Sequence, residues 1–334
     1  MSFFSRLIPS QATRGKECAA AEAPAELTHF GMGTTMTHRA YGPRAKEALE
    51  AVREEASRLE GLWSRFLPES EISSLNACAG QRSVPVIEPT YRLLELAGRV
   101  SELSGGLFDI TIAPLADLWD YKHASVPPPE ERIGQVLPLV CFRDLELSSS
   151  NRSAYLKKSG QAVDLGGIGK GFASDLFLEV FKKYGVVSAF SNIGGNVATL
   201  GSKPDGSAWT VGIRHPRSSG LIGTVAVTGK AVVTSGDYER YFTGRDGKRC
   251  HHILNPKTGY PAHSGLLSVT VAAQSAALAD ALSTAIFVAG PDSGLALLDL
   301  FPEAEAVLID EELRIIVTGG LKNCFRASDA CGIT

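Results

Sequence analysis

The sequence lacks the features that mark several large classes of protein. No run of eighteen apolar residues occurs among its 334 residues, so no membrane span is predicted. The formal net charge of −3 gives no reason to expect nucleic-acid binding, which a basic stripe would suggest. The six cysteines include no pair at metal-ligand spacing. We expect them to be scattered thiols in a reducing compartment.

Internal repeats and low-complexity linkers are also absent, and 44% of the residues are hydrophobic, which supports a sizeable core. A single compact domain over residues 28–334 is therefore the simplest interpretation. Residues 1–27 contain one short apolar patch, which is too short for the core of a signal peptide. We expect this segment to be a mobile tail on a cytoplasmic protein.

The remaining pattern predicts an α+β fold. Apolar residues recur at helical spacing in the first half of the chain, and short alternating or apolar runs dominate after residue 186. The predicted helices cover about 43–66 and 89–103; the predicted strands cover 209–213, 223–227 and 267–273, with a hairpin over 307–317.

A glycine-rich segment at 163–175 is the most informative part of the sequence. An apolar strand is predicted to end at Asp164, glycines then surround Lys170, and an amphipathic helix follows. Glycine permits close approach of a ligand to the backbone, and a helix N-terminus attracts anions. The segment therefore predicts a phosphate-binding turn and a nucleotide partner, with an ordinary tight turn as the alternative. Gly171 after the lysine excludes a Walker loop, and Phe172 excludes a Rossmann fingerprint.

A second informative segment is the helix predicted after Ser275, which ends at Gly290. Its side chains are almost all small or apolar, so we expect it to be buried. Asp280 and Thr284 are four residues apart and share one face. A buried carboxylate needs a positive partner. Either a hard cation held with phosphate oxygens or a lysine or arginine from elsewhere would supply it.

With these two segments in place, the sequence resembles the ApbE family, whose members attach FMN from FAD to a threonine or serine of a target protein. The resemblance rests on motifs that occur in the family's order and span residues 28–322. They lie at 30–34, 70–76, 108–115, 163–175, 192–196, 234–242, 252–259 and 280–284.

The resemblance implies a single catalytic domain with mainly antiparallel sheets flanked by helices. It also implies a magnesium-dependent reaction that makes a phosphoester and releases AMP, with FAD and a target flavoprotein as partners. The implied metal ligands are Asp280, Thr284 and the main-chain carbonyl of Gly167. The implied FAD contacts are Met32, Phe66, Thr111, Ala113, Asp164, Lys170 and Leu254. Ordinary core packing is the alternative for Met32 and Phe66.

Proton transfer would need a base, and the family places a histidine at His252. Lys170 and Asp280 complete the implied catalytic set. A purely structural histidine is the alternative. If the segment is extended, the His251 side chain points to the opposite face, so a His251 substitution is the natural control for a His252 substitution. A histidine base with an ordinary pKa predicts a transfer rate that rises through the imidazole range.

The sequence departs from the family at a few positions. Asn255 replaces the usual aspartate, and Ala113 replaces the usual glycine before Pro114. Many members are exported lipoproteins, but Cys18 follows Lys16-Glu17 in place of the residues expected before a lipidated cysteine. Three functions remain open: an FMN transferase, an FAD pyrophosphatase that uses water as the acceptor, and a non-catalytic FAD-binding protein.

Overall fold

An antiparallel central sheet and a set of helices form the fold. The computed structural model describes residues 23–244, 247 and 249–328. In chain order the strands are β1 Ala25–Gly31, β2 Thr34–Tyr41, β3 Val84–Pro85, β4 Leu145–Ser148, β5 Ser153–Leu156, β6 Ser188–Ile193, β7 Asn196–Leu200, β8 Trp209–Arg214, β9 Leu221–Val227, β10 Ala231–Gly236, β11 Tyr241–Thr243, β12 Arg249–His251, β13 Leu266–Ala273, β14 Glu305–Asp310, β15 Ile315–Val317 and β16 Phe325–Ala327.

The helices lie mainly in the first half of the chain and around residue 280. They are α1 Ala45–Trp63, α2 Glu71–Ala77, α3 Glu88–Leu103, α4 Ala113–Trp119, α5 Glu130–Val136, α6 Gly169–Lys183, α7 Ala276–Ala289 and α8 Pro291–Leu298, with single 3₁₀ turns at Leu137–Leu139, Phe142–Asp144 and Gly319–Leu321.

The central sheet has the strand order β1-β2-β6-β7-β10-β13-β14-β15 within the described residues. Neighbouring strands pair antiparallel throughout it. Smaller sheets have the orders β16-β9-β8 and β3-β5-β4, and β11 pairs with β12. The predicted α+β class is therefore confirmed.

Helices cover one face of the central sheet and the β16-β9-β8 sheet covers the other. Val233 and Val271 join the apolar cluster beneath the helices, whereas Val232 and Ala272 join the cluster beneath the small sheet. Successive residues of a strand point to opposite faces. Because both faces are covered, every residue of β13 is buried, and this explains its continuous apolar sequence.

Most predicted elements are confirmed to within a few residues. The helix predicted at 43–66 is Ala45–Trp63, and the helix predicted at 89–103 is Glu88–Leu103. The three predicted strands match β8, β9 and β13, and the predicted hairpin is formed by β14 and β15. Ser275 caps α7 by accepting a hydrogen bond from the N–H of Leu278, as predicted.

The predicted N-terminal tail is wrong at its C-terminal end. Ala25 pairs with Ala40, and Leu27 pairs with His38, so residues 25–27 belong to β1. Side chains along β1 alternate between half-buried and exposed. An edge strand held mainly by backbone hydrogen bonds needs few apolar residues, which is why composition gave no signal. Residues 1–22 lie outside the described residues.

The strand predicted to end at Asp164 is also wrong. This segment contributes only an isolated bridge between Ala162 and Ile112. The Asn76 side chain takes the place of a neighbouring strand at Val163. Its Nδ2 donates to the Val163 carbonyl oxygen at 3.1 Å, and its Oδ1 accepts from the Val163 N–H at 2.7 Å. A side chain from α2 thus fixes the start of the glycine-rich segment.

No described helix is long and apolar enough to cross a membrane. The described cysteines form no disulfide bond. Cys18 and Cys331 lie outside the described residues.

The backbones of α6 and α7 come into contact at Gly171. A Cβ atom added to Gly171 would lie 2.2 Å from the carbonyl oxygen of Ala276 and 2.8 Å from the Cα of Ala277. Both of these atoms belong to backbone, which cannot rotate away as a side chain can. The sequence predicts that this glycine lets a ligand approach the backbone. In the structure it lets the backbone of α7 approach that of α6.

We therefore expect Gly171→Ala to destabilise the protein by about 1–3 kcal/mol, as overpacking of a core typically does. Gly98→Ala is the matched control, since Gly98 lies in α3 with no atom within 4 Å of an added Cβ. The control should be neutral or stabilising by about 0.5–1 kcal/mol, because alanine favours helix. Urea unfolding followed by circular dichroism measures both. Equal stability of the two variants would contradict the close contact.

Candidate active site

A cavity of about 1320 Å³ opens beside the N-terminus of α6 and the Asp280 face of α7. The glycine-rich segment, the β1–β2 turn, the end of β10 and the 252–256 segment all contribute to its wall. Of the predicted site residues, those that line it are Met32, Phe66, Asp164, Gly167, Lys170, His252, Leu254, Asp280 and Thr284.

Asp280 lies at the buried end of this cavity and is only 3% exposed. Its Oδ2 accepts a hydrogen bond from the N–H of Gly171 at 2.9 Å. The same oxygen lies 3.7 Å from Nζ of Lys170, which donates to the Gly166 carbonyl oxygen at 2.9 Å. A lysine from another element is therefore the positive partner that the sequence left open. The distance is that of an ion pair without a direct hydrogen bond.

The helix N-terminus differs from the sequence-based expectation of free N–H donors. Gly169 donates to the Leu165 carbonyl oxygen, Phe172 donates to the Ile168 carbonyl oxygen, and Gly171 donates to Asp280. These donors of α6 are used within the protein. Only Gly171 donates to an anion, the Asp280 carboxylate, and the Lys170 side chain is a cation of α6 that lines the cavity.

The residues beside Asp280 can hold a hard cation. Thr284 Oγ1 lies 3.2 Å from Ser235 Oγ, and a Cβ added to Gly167 would lie 3.5 Å from Thr284 Oγ1. Both contacts of Asp280 use Oδ2, which leaves Oδ1 for another partner. The described residues contain no cluster of three His, Cys, Asp or Glu side chains. Mg²⁺ is usually held by one or two carboxylates together with phosphates and waters, and seldom by protein ligands alone. A site with few protein oxygens therefore suits this ion.

His252 lies in the cavity wall and is held by one neighbouring carbonyl. Its backbone N–H donates to the Arg240 carbonyl oxygen at 3.0 Å, and its Nδ1 lies 3.3 Å from the same oxygen. A carbonyl only accepts, so Nδ1 carries the proton and Nε2 keeps its lone pair. Burial, with the Arg240 charge as a second cause, lowers the pKa of His252 to about 3. The ring is therefore neutral at physiological pH.

His251 has a different environment, as the alternation of strand side chains predicted. It is 2% exposed, and its Nε2 lies 3.0 Å from the Ala262 carbonyl oxygen. The tautomer is thus opposite to that of His252, with the proton on Nε2. Burial lowers the pKa of His251 to about 4.

Comparison with known proteins identifies the family. The family described as ApbE matches residues 32–308. The chain belongs to the ApbE family.

Relatives and solved structures agree with this membership. The FAD:protein FMN transferase of Treponema pallidum is 35% identical to this chain, and the match covers 90% of this chain and 88% of that protein. A protein of the same name from Klebsiella pneumoniae is 34% identical, and the match covers 82% of this chain and 85% of that protein. The crystal structure of the ApbE protein from Thermotoga maritima is 33% identical with a TM-score of 0.82, covering 89% of this chain and 98% of that chain. The apo flavinyl transferase ApbE of Pseudomonas stutzeri is 29% identical with a TM-score of 0.79, covering 93% and 96%.

Within this ApbE chain, Thr111 and Ala113 lie behind the cavity wall. Both are fully buried, and Ile112 between them lines the cavity. Thr111 Oγ1 donates to Asp109 Oδ1 at 2.7 Å and accepts from the Cys141 N–H at 2.8 Å. The side chains are thus used by the fold, and a ligand contact at these positions would come from the backbone.

Phe66 and Met32 differ in how the structure places them. Phe66 is 72% exposed at the cavity, so the core-packing alternative is wrong for this residue. The Arg65 guanidinium lies 4.6 Å from the centre of its ring. Met32 lines the cavity and also packs against the main apolar cluster, from a left-handed backbone conformation with φ of 50°.

Sequence reasoning missed the arginine that holds Asp164. Arg65 Nε lies 2.7 Å from Asp164 Oδ2, and its two terminal nitrogens donate to Asp117 at 3.0 and 2.7 Å. Asp164 Oδ1 accepts from the Gly166 N–H at 2.7 Å. Both oxygens of Asp164 are therefore engaged, and the carboxylate shapes the turn. Arg65 precedes Phe66 in sequence, but no motif marks it.

The Asn255 departure has a structural explanation. Its Oδ1 accepts from the Lys257 N–H at 2.9 Å, and its carbonyl oxygen accepts from the Gly259 N–H at 2.8 Å. Asparagine and aspartate can both make the first of these bonds. Leu254 and Pro256 line the cavity, whereas Asn255 does not. The position at which asparagine replaces the family's aspartate therefore lies outside the cavity wall.

The two histidines give a prediction that needs no activity assay. Nitrogen-15 NMR of the histidine rings should show His252 as the Nδ1–H tautomer and His251 as the Nε2–H tautomer. Neither ring should titrate between pH 5 and 8, because burial holds both pKa values at about 3 and about 4. Substitution of each histidine assigns its signals. A His252 signal that titrates near the ordinary value of about 6.5 would show that the ring is solvated.

Proposed function

We propose that this ApbE-family protein transfers FMN from FAD to a threonine or serine hydroxyl of a target protein, in a magnesium-dependent reaction. The observation that carries the proposal is the convergence of Asp280, Thr284, Lys170 and His252 on one cavity. Further support comes from the activity for which the Treponema pallidum and Klebsiella pneumoniae relatives are named. A storage protein would not need these groups beside a pyrophosphate.

The proposed step is a displacement at the FMN-side phosphorus of FAD. The acceptor oxygen forms a bond to this phosphorus, and the bond from phosphorus to the bridging oxygen breaks. AMP leaves with the bridging oxygen and its negative charge. The acceptor proton passes to Nε2 of His252, whose Nδ1–H is oriented by the Arg240 carbonyl oxygen. The product is a phosphoester of FMN with the target.

Negative charge is what this site must stabilise during the step. Magnesium, held by Asp280, Thr284 and the Gly167 carbonyl, would supply positive charge to the phosphate oxygens. Lys170 adds a second, mobile cation within 3.7 Å of Asp280. Gly171 fixes Asp280 through its N–H, so this carboxylate is held in place before any ligand binds.

Mass spectrometry with FAD and magnesium tests the function. A target protein should gain the mass of one FMN, and AMP should be released in equal amount. FMN alone should not serve as donor, because the reaction needs a pyrophosphate bond to break. The Asp280→Ala variant should lose the reaction. Free FMN with AMP and an unmodified target would select FAD pyrophosphatase, and modification from FMN without adenine nucleotide would contradict the mechanism.

Adjacent histidines provide a matched pair for the base. His252→Ala should slow transfer by about 10²- to 10⁴-fold, as loss of a general base typically does. His251→Ala should cost much less, and FAD affinity should change little in either variant. Since the pKa of His252 lies at about 3, its base form is present throughout pH 5–8. The parent rate should therefore show no rise from this group, contrary to the expectation from sequence.

Equal losses of rate in the two variants, with unfolding temperatures like that of the parent, would mean that His252 is structural. Asp164 and Asp280 would then be the next carboxylates to test as the base.

A further inference from the structure

Part of the cavity has no role in the mechanism above. Its volume of about 1320 Å³ exceeds the range of about 300–1,000 Å³ of typical small-molecule sites. We call the unassigned part the acceptor lobe. It is lined by Asn192, Asn196, Thr210, Gly212, Arg214 and Leu221.

Asn196 has a buried donor that the protein does not use. The residue is 3% exposed, and its Nδ2 has no hydrogen-bond partner. A buried donor without a partner is unfavourable. Asn196 begins β7 after the Gly194-Gly195 turn and lines the cavity. A ligand that offers an oxygen acceptor in the lobe would satisfy this amide.

The second unused feature is the free edge of β8, which is the terminal strand in the order β16-β9-β8 of the described residues. Thr210 of β8 pairs with Ala226 of β9, and the Ala226 N–H donates away from β8, to the Cys324 carbonyl oxygen at 2.9 Å. Opposed residues of an antiparallel pair share one bonding pattern. The N–H and carbonyl of Thr210 therefore point to the free edge, as do those of Gly212, two residues on.

The side chains of β8 also favour close approach by another chain. Buried and exposed residues alternate along the strand, and Thr210, Gly212 and Arg214 are the exposed ones. Thr210 is small, and Gly212 leaves room for the Leu221 side chain, which lies 2.8 Å from the position of an added Cβ. Leu221 is 49% exposed beside them and offers an apolar contact.

The lobe connects directly to the proposed base. Arg214 at the end of β8 forms an ion pair with Glu239 at 3.1 Å. Arg240 follows Glu239, and its carbonyl oxygen holds both the backbone and the ring of His252. The C-terminal end of β8 is therefore joined by one ion pair to the segment that orients His252.

We propose that the acceptor lobe binds the target protein's modified segment as an extended strand added to the edge of β8. An extended peptide offers alternating carbonyl and N–H groups, which match Thr210 and Gly212 and also satisfy the Asn196 amide. This inference rests on the proposed function and assigns a place to its second substrate.

The probe is a synthetic nonapeptide centred on the threonine or serine that gains FMN in the folded target. Thr210→Pro removes the N–H at the free edge while leaving the β8–β9 ladder intact, since proline is tolerated there on edge strands. The KM for the peptide should rise about two- to tenfold, as loss of one hydrogen bond does. Thr210→Val keeps the N–H, so its KM should rise much less.

Asn196→Ala gives an independent measurement. It removes no hydrogen bond from the free protein, so the unfolding temperature should be retained. The KM for the peptide should rise about five- to tenfold, while the Kd for FAD stays within about twofold, below the effect of one typical hydrogen bond. An unchanged peptide KM in both Asn196→Ala and Thr210→Pro would overturn the inference. So would a weakened FAD affinity in Asn196→Ala, which would mean that the lobe holds part of FAD.

Peptide chemistry tests the strand without changing the enzyme. Methylation of one peptide N–H at a time should raise the KM at every second position, because only alternate N–H groups of a paired strand face its neighbour. An effect without this alternation would overturn the inference, as would a folded target that is modified while none of its peptides is. Absence of transfer to any target would instead contradict the proposed function.

Discussion

The contact between the N-terminal ends of α6 and α7 is the constraint on which the rest of the site depends. Each helix supplies a carboxylate to N–H groups of the other. Asp175 of α6 accepts from the N–H of Ala276 at 2.7 Å and of Ala277 at 3.1 Å, and from Ser275 Oγ at 2.8 Å. Asp280 of α7 accepts from Gly171 of α6. Negative charge at a helix N-terminus is favourable, so both carboxylates stabilise the helices that they reach.

This exchange also explains how the site tolerates buried charge. Asp280 is almost inaccessible to water, and an unpaired carboxylate there would be costly. One oxygen has a backbone donor and a lysine nearby, so the carboxylate has partners within the protein. The absence of a side chain at Gly171 lets the helices approach closely enough for this bond. A glycine needed for packing and a carboxylate that lines the cavity are thus two ends of one hydrogen bond.

The wall facing α6 and α7 is assembled from loops, and each loop is fixed by long-range contacts. Asn76 holds the start of the glycine-rich segment, and Arg65 holds Asp164 to Asp117. Trp119 of α4 donates from Nε1 to the Gly259 carbonyl oxygen at 2.8 Å, which fixes the segment that carries Leu254. The residues that line the cavity are therefore placed by a preformed frame, which would keep the cost of ordering them at binding low.

Local pattern was sufficient for four helices, for several buried strands and for the burial of Asp280; the helices are α1, α3, α6 and α7, and the strands are β8, β9, β13, β14 and β15. Periodicity marks α1 and α3, and a helix of small apolar residues with one carboxylate marks α7. The motif order also pointed to the family and to most cavity residues. These features depend on neighbours close in sequence, so the sequence by itself determined them. It could not separate a metal from a lysine as the partner of Asp280, because Lys170 is 110 positions away.

Tertiary structure alone decided the remaining features. β1 is held by its backbone pairing with β2, and the segment before Asp164 is held by Asn76, which is distant in sequence. Arg65 acquires its role only where α1, α4 and the glycine-rich turn meet. The tautomer and low pKa of His252 come from burial and from the carbonyl and charge of Arg240. Long-range hydrogen bonds and desolvation depend on distances in the folded chain, and local residue patterns do not record those distances.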